Sequence, residues 1–187
     1  MPILASETSL YPADLFDHAE SAADPDARWW ALYSLPRQEK QLMRRLHVLQ
    51  TPFYAPVVSK RSRSPSGRVR VSHVPLFSGY VFLYGSSVER HAAMTTNCVS
   101  RCLDVPDGRR LTLDLRAIHQ LIASGEPLTP EARIEPGQIV RIRHGALMGL
   151  EGVVIRRANE TRLLVAVNFL QRGASVLLDD CQLEPIA

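Results

Sequence analysis

Cysteine is scarce in this chain: Cys98, Cys102 and Cys181 are the only three. An odd count without CxxC spacing supplies neither a disulfide frame nor a zinc knuckle, so the three are read as small buried hydrophobes. His91 precedes Cys98 and Cys102 in the sequence, but nothing completes a metal set around them, and no metal or cofactor is expected. Long apolar runs are missing too. No stretch approaches the roughly 20 residues of a membrane span, and the first residues carry no basic region. Neither insertion nor export is indicated, and a cytoplasmic protein is expected. Catalytic motifs are lacking as well: there is no GxxxxGK, no GxSxG, no HExxH and no glycine-rich dinucleotide turn. The pair Asp179 and Asp180 falls at a turn where solvated carboxylates are ordinary. No catalytic residue is assigned, and the protein is not expected to be an enzyme.

Charge of one sign is absent from two stretches. Residues 1–27 hold six acids and no Lys or Arg, a net −6. Residues 28–124 carry fifteen basic residues against five acidic ones, a net +10, and residues 125–187 hold seven against eight. From Ser59 to His73 there is no acid at all. Such asymmetry points to a middle domain that meets a polyanion, preceded by a self-screening acidic leader. The leader lacks a sustained hydrophobic period and is expected to be mostly disordered, with one weak helical turn around Asp14 to Ala22.

What the chain does have is 45% apolar residues in 187, enough for a core in each of two domains. RWWALYS, Arg28 to Ser34, reads as a strand bounded by Pro36. Leu42, Leu46 and Leu49 then fall at helical spacing between Arg37 and Leu49, and Pro52 stops the helix. FYAPVVSKRSRS runs on extended to a turn at Ser64 to Gly67 and returns as RVRVSHVP, so that Val69 and Val71 share one face and Arg68 and Arg70 the other. Gly79 to Tyr84 reads as a central strand, Ser87 to Thr96 as a serine-capped helix, Cys98 to Val105 as a strand, and Leu115 to Ile122 as part of a helix that Gly125 ends. These elements make an α+β sandwich with helices on an antiparallel sheet. Gly125 to Gly137, with three prolines, reads as a linker. After it, IVRIR, GVVIRR, RLLVAVNF and ASVLL, with a last short strand around Gln182 and Leu183, fit a small β-barrel.

Two separated motifs carry a family resemblance. PGQIVRIRHGALMGLEGVVIRR, Pro136 to Arg157, resembles a KOW motif, with Gly137, Gly145, Gly149 and Gly152 at its tight corners. This motif alone leaves open an RNA-binding or ribosome-associated KOW protein. RWWALYSLPRQEKQLMRRL, followed downstream by VPLFSGYVFL, is similar to the N-terminal NGN domain of the NusG family of transcription factors, which places the chain with that family. The wording PLFSGYVFL with the RQEK helix start is closer to specialised RfaH-like or UpxY-like paralogues, antiterminators of polysaccharide or secondary-metabolite operons.

With the acidic leader at 1–27 and the linker at 125–137 set by composition, the resemblance implies an NGN domain at 28–124 and an SH3-like KOW barrel at 138–187. It also implies an elongation or antitermination factor, monomeric, that docks on the RNA polymerase clamp helices, bridges the cleft and suppresses pausing or termination. Carried over by position, Tyr33, Phe77, Tyr80 and Phe82 form the exposed polymerase-binding patch. Lys60, Arg61, Arg63, Arg68 and Arg70 lie near upstream or non-template DNA and contact its backbone. The resemblance further implies Rho or a small-subunit ribosomal protein as the partner of the KOW domain. Two places depart from the family: Ser78 stands where proline is common, and Glu89 to Ala92 do not reproduce the histidine-threonine contact of some specialised members.

Overall fold

Alternation along RWWALYS gives one strand two buried faces, and the first half of the molecule is built around it. The computed structural model describes residues 7–21, 24–63, 67, 69–132, 137–157, 160–178 and 183–186. It falls into two compact units, Met1–Gly108 and Arg109–Ala187. The first contains β1 (Leu10–Tyr11), α1 (Leu15–Ser21), β2 (Arg28–Ser34), α2 (Glu39–Val48), β3 (Phe53–Tyr54), β4 (Val57–Arg63), β5 (Val69–Pro75), β6 (Tyr80–Gly85), α3 (Ser87–Met94) and β7 (Val99–Asp104). The second contains α4 (Gly108–Ala123), β8 (Leu128–Glu131), β9 (Ile139–Ile142), β10 (Glu151–Arg157), β11 (Glu160–Val167), a 3₁₀ turn (Asn168–Leu170), β12 (Arg172–Leu177) and β13 (Leu183–Pro185). Both units are α+β with antiparallel sheets.

In the first unit the main sheet runs β1-β3-β6-β2-β7, and β4 with β5 forms a separate hairpin. Trp30, Leu32, Val81, Leu83 and Phe53 leave one face and meet Leu42, Met43 and Leu46 of α2 and Ala93 of α3 in a buried cluster. The three-and-four spacing on α2 places its apolar stripe there, while Arg44 and Arg45 stay in water. α3 opens with a capping box: Ser86 Oγ accepts from the Val88 N–H, and the Glu89 carboxylate accepts from the Ser86 N–H at 2.8 Å. The Ser86 hydrogen bond holds the Glu89 carboxyl below its ordinary value.

Trp29, Ala31 and Tyr33 leave the opposite face, as do Tyr80, Phe82 and Tyr84, because Ala31 pairs with Phe82 and Tyr33 with Tyr80. The leader supplies part of this layer, which corrects the expectation of disorder. β1 pairs with β3 (Leu10 with Tyr54), and the Ala55 N–H donates to Ser9 O at 2.7 Å. Leu15 and Phe16 of α1 are buried, and Phe16 meets Tyr54 edge-on at 5.2 Å. Glu7 pairs with Arg44, whose hydrogen bond holds the Glu7 carboxyl below its ordinary value. Two adjacent aliphatic and aromatic side chains suffice to seat this short segment, although they make no period along the chain.

In the second unit six strands run β13-β9-β10-β11-β12-β8. The expected linker is therefore partly structured: Thr129 pairs with Ser175 and Leu128 with Val176. Arg162 fixes this edge, donating to Thr129 Oγ1 and Ser175 Oγ. The unit begins at Arg109, in the first turn of α4, whereas the expected end of the first domain is at 124. α4 is clipped to the 3₁₀ turn by Asp114, which accepts from the Asn168 backbone N–H at 2.8 Å. Burial raises the Asp114 carboxyl above its ordinary value, against the opposing hydrogen bonds from Asn168 and Arg110. Gly145 and Gly149 take left-handed φ of 90° and 84°, while a Cβ on Gly152 would lie 2.6 Å from Leu164 O and one on Gly137 2.5 Å from Val154 O. No helix among the described residues is long and apolar enough to cross a membrane.

Candidate functional site

The segment joining β5 to β6 is a tight turn. Its Tyr80 N–H donates to Phe77 O at 3.1 Å, and Gly79 at the third position has φ +83°. Ser78 is not among the positive-φ residues, so the turn has the signature of type II, which calls for glycine at that place. The turn is held from two sides. The Ser34 N–H of β2 donates to Gly79 O at 2.7 Å, and the Gly79 N–H donates to Glu39 Oε1 of α2 at 3.0 Å. Tyr33 lies over Gly79, where a Cβ would come within 2.8 Å of its ring. Tyr33 and Tyr80, cross-strand partners, pack with ring centroids 5.1 Å apart and planes at 63°.

The structure brings the four predicted patch residues near one turn but does not expose them equally. Tyr33 is 40% exposed and Tyr80 partly so. Phe77 and Phe82 are 2% and 0% exposed, which corrects their assignment to an open patch. The reason is position along the strand. Tyr80 opens β6, whereas Phe82 sits in its middle between Ala31 on one side and Tyr54 on the other, with Phe16 seated on Tyr54. Burial pushes the Tyr54 phenol well above its ordinary value. What emerges is a two-tyrosine surface on a glycine turn, with Phe77 and Phe82 in the core behind it.

The basic hairpin is present as β4 and β5, paired from Val57 with Pro75 to Arg63 with Val69. Lys60 and Arg63 are exposed; Arg61 and Arg70 take their places in the ladder, opposite Val71 and Ser62. Val69 and Val71 are 56% and 43% exposed, so the limb is polar without being purely so. Arg68 lies outside the described residues, as do the Asp179 and Asp180 pair and Cys181. Among the described residues no cluster of His, Cys, Asp or Glu is placed to hold a metal ion. Cys98 is buried and Cys102 half-buried, both free thiols.

Sequence reading missed Glu39, because a carboxylate at the start of a helix is ordinary there and its partner is forty residues away. It also missed the stack on Trp30, where the Arg28 guanidinium lies 4.1 Å and that of Arg90 5.0 Å from the ring. The Trp30 Nε1–H donates to Gly85 O, fixing the ring. No signal short of the strand register would have joined these residues.

No curated protein matches the chain. The family model described as transcription termination factor nusG does match it, over residues 27–122. That span takes in β2 through nearly all of α4, with the hairpin and the tyrosine turn inside it, and covers just over half of the 187 residues. The chain therefore belongs to the NusG family of transcription factors, whose members act without catalysis and work with RNA polymerase.

Proposed function

We propose that this protein is an elongation or antitermination factor that docks on the RNA polymerase clamp helices through Tyr33 and Tyr80. The observation that carries the reading is the packed pair of rings, Tyr33 exposed over the Gly79 turn and Tyr80 partly exposed beside it. Rigid aromatics give up little rotamer freedom when covered and bury a large area, which suits them as anchors for a helical partner. Phe77 and Phe82 support the anchors from beneath. Bridging the cleft resists clamp opening and shifts the polymerase away from paused states. The mechanism is mechanical.

Lys60, Arg63 and the other basic residues of the hairpin lie toward upstream or non-template DNA in this reading, with contacts to phosphates. The sheet of the second unit is read as the KOW barrel, SH3-like in its five strands β9 to β13, with β8 added at its edge, and as the recruiting surface for Rho or a small-subunit ribosomal protein. The RQEK and PLFSGYVFL segments favour a specialised RfaH-like or UpxY-like member. A cytoplasmic monomer fits this role.

The test is a Tyr33→Glu, Tyr80→Glu double substitution. Burying two carboxylates at the centre of an interface should cost about a hundredfold or more in affinity for polymerase, the scale of hot-spot loss. Far-ultraviolet circular dichroism should stay unchanged. Binding that survives the double substitution rules out this surface.

A further inference from the structure

Behind the two tyrosines, one carboxylate from another element reaches the turn that carries them. Glu39 stands in the first turn of α2, forty residues from Gly79, and its half-buried Oε1 accepts the Gly79 N–H at 3.0 Å. We infer that Glu39 is a positioning residue for the docking surface: it selects the turn conformation that sets the Tyr33–Tyr80 pair, an inference that rests on the docking reading above.

Type I and type II turns differ chiefly by the orientation of their central peptide. Here that peptide joins Ser78 to Gly79. In the observed turn its N–H points at Glu39. Reversing it would aim the Ser78 carbonyl at the carboxylate and replace a charge-assisted hydrogen bond with repulsion. Glycine alone does not make this choice, since it adopts either sign of φ readily. Serine at the second position also leaves out the φ restraint that proline would supply. Selection therefore falls to the groups that hold Gly79 from outside, Glu39 at its nitrogen and the Ser34 N–H at its oxygen.

The consequence reaches the rings directly. The Tyr33 ring fills the place a Gly79 Cβ would take, and Tyr80 is the next residue. A turned peptide would shift both the floor under one ring and the backbone that launches the other. Glu39 does not touch the partner in this scheme; it keeps the anchors in one arrangement before the partner arrives, which lowers the ordering cost of association.

The experiment uses the full chain and three substitutions: Glu39→Gln, which keeps an oxygen acceptor, Glu39→Ala, which removes it, and Glu39→Asp, which shortens its reach. Two quantities are read, amide hydrogen exchange at Gly79 in the free protein and affinity for the recombinant clamp-helix coiled coil of RNA polymerase. Glu39→Ala and Glu39→Asp should speed Gly79 exchange and weaken binding, each by about tenfold, on the scale of one lost hydrogen bond to a charged group. Glu39→Gln should lose less, about threefold, since its amide oxygen still accepts but without the charge that strengthens the bond. A residue that merely stabilised the fold would move the thermal midpoint without singling out Gly79. If Glu39→Ala and Glu39→Asp leave both quantities unchanged while the parent chain binds, the inference is overturned alone. If the parent chain does not bind the coiled coil, the docking reading falls and the positioning role with it.

Discussion

Tyr80 and Phe82 leave the same face of the same strand two residues apart, yet one is wetted and the other is sealed. The pair at the open end, Tyr33 with Tyr80, rests on a glycine turn whose outer side faces solvent. In mid-strand, Phe82 has a neighbouring strand on each side and the leader's Phe16 one ring further on. The comparison separates two properties of a β-strand that are easily merged. Pleating decides which face a side chain leaves by, and distance from the strand's end decides how deep it lies.

Substitutions can break this comparison or sharpen it. The largest effect is expected at Phe82, where Phe82→Ala should cost about 3–5 kcal/mol of unfolding free energy by opening a core cavity. Tyr80→Ala, at the wet end, should cost much less. Urea denaturation of the two variants measures the contrast, and equal losses would erase the distinction between the ends. Phe82 is for the same reason a poor place to probe docking, because lost binding there would report lost structure.

Next comes Gly79→Ala. A side chain at φ +83° is strained, and its Cβ would meet the Tyr33 ring. Strain of this kind costs on the order of 1–3 kcal/mol. Chemical denaturation and the Tyr33 ring resonances read it, and a silent variant would contradict the packing of Tyr33 on the turn. A smaller change of opposite sign is expected for Ser78→Pro. The second position of a type II turn accepts proline's fixed φ, so the variant should gain about 0.4–1 kcal/mol through a less flexible unfolded chain. A lowered thermal midpoint would argue against a type II turn.

The smallest effect lies away from this face, in the cap of α3. The Glu89 carboxyl is held below its ordinary value of 4.5, so it binds protons less readily folded than unfolded. Its contribution is therefore present above that ordinary value and fades as pH falls through the lowered folded value. Acid titration of the thermal midpoint should show this fade in the parent chain and lack it in Glu89→Gln.

Much of the first unit could be read from residue spacing. RWWALYS alternates and is a strand; Leu42 and Leu46 sit a turn apart and are helical; the arginine-rich limbs pair about a polar tip. Reading Gly79 to Tyr84 as one strand merges the turn glycine with β6, which begins at Tyr80. Depth was not legible, since period two assigns Tyr80 and Phe82 alike. Elements that depend on distant partners also escaped. β1 is two residues long and takes its meaning from β3, and LTPE of β8 contains proline and glutamate that argue against a strand until Arg162 and β12 are known to receive it. Glu39 belongs to the same class, for only the folded chain brings it to Gly79.

The leader's short pairing with Phe53 and Tyr54 has a further meaning for how the protein behaves among its own copies. A sheet that stopped at β3 would offer a row of unanswered amides and carbonyls to any extended chain that drifted by. By answering them from within, Leu10 and Tyr11 move the edge outward to a strand only two residues long, too short to template an extended chain.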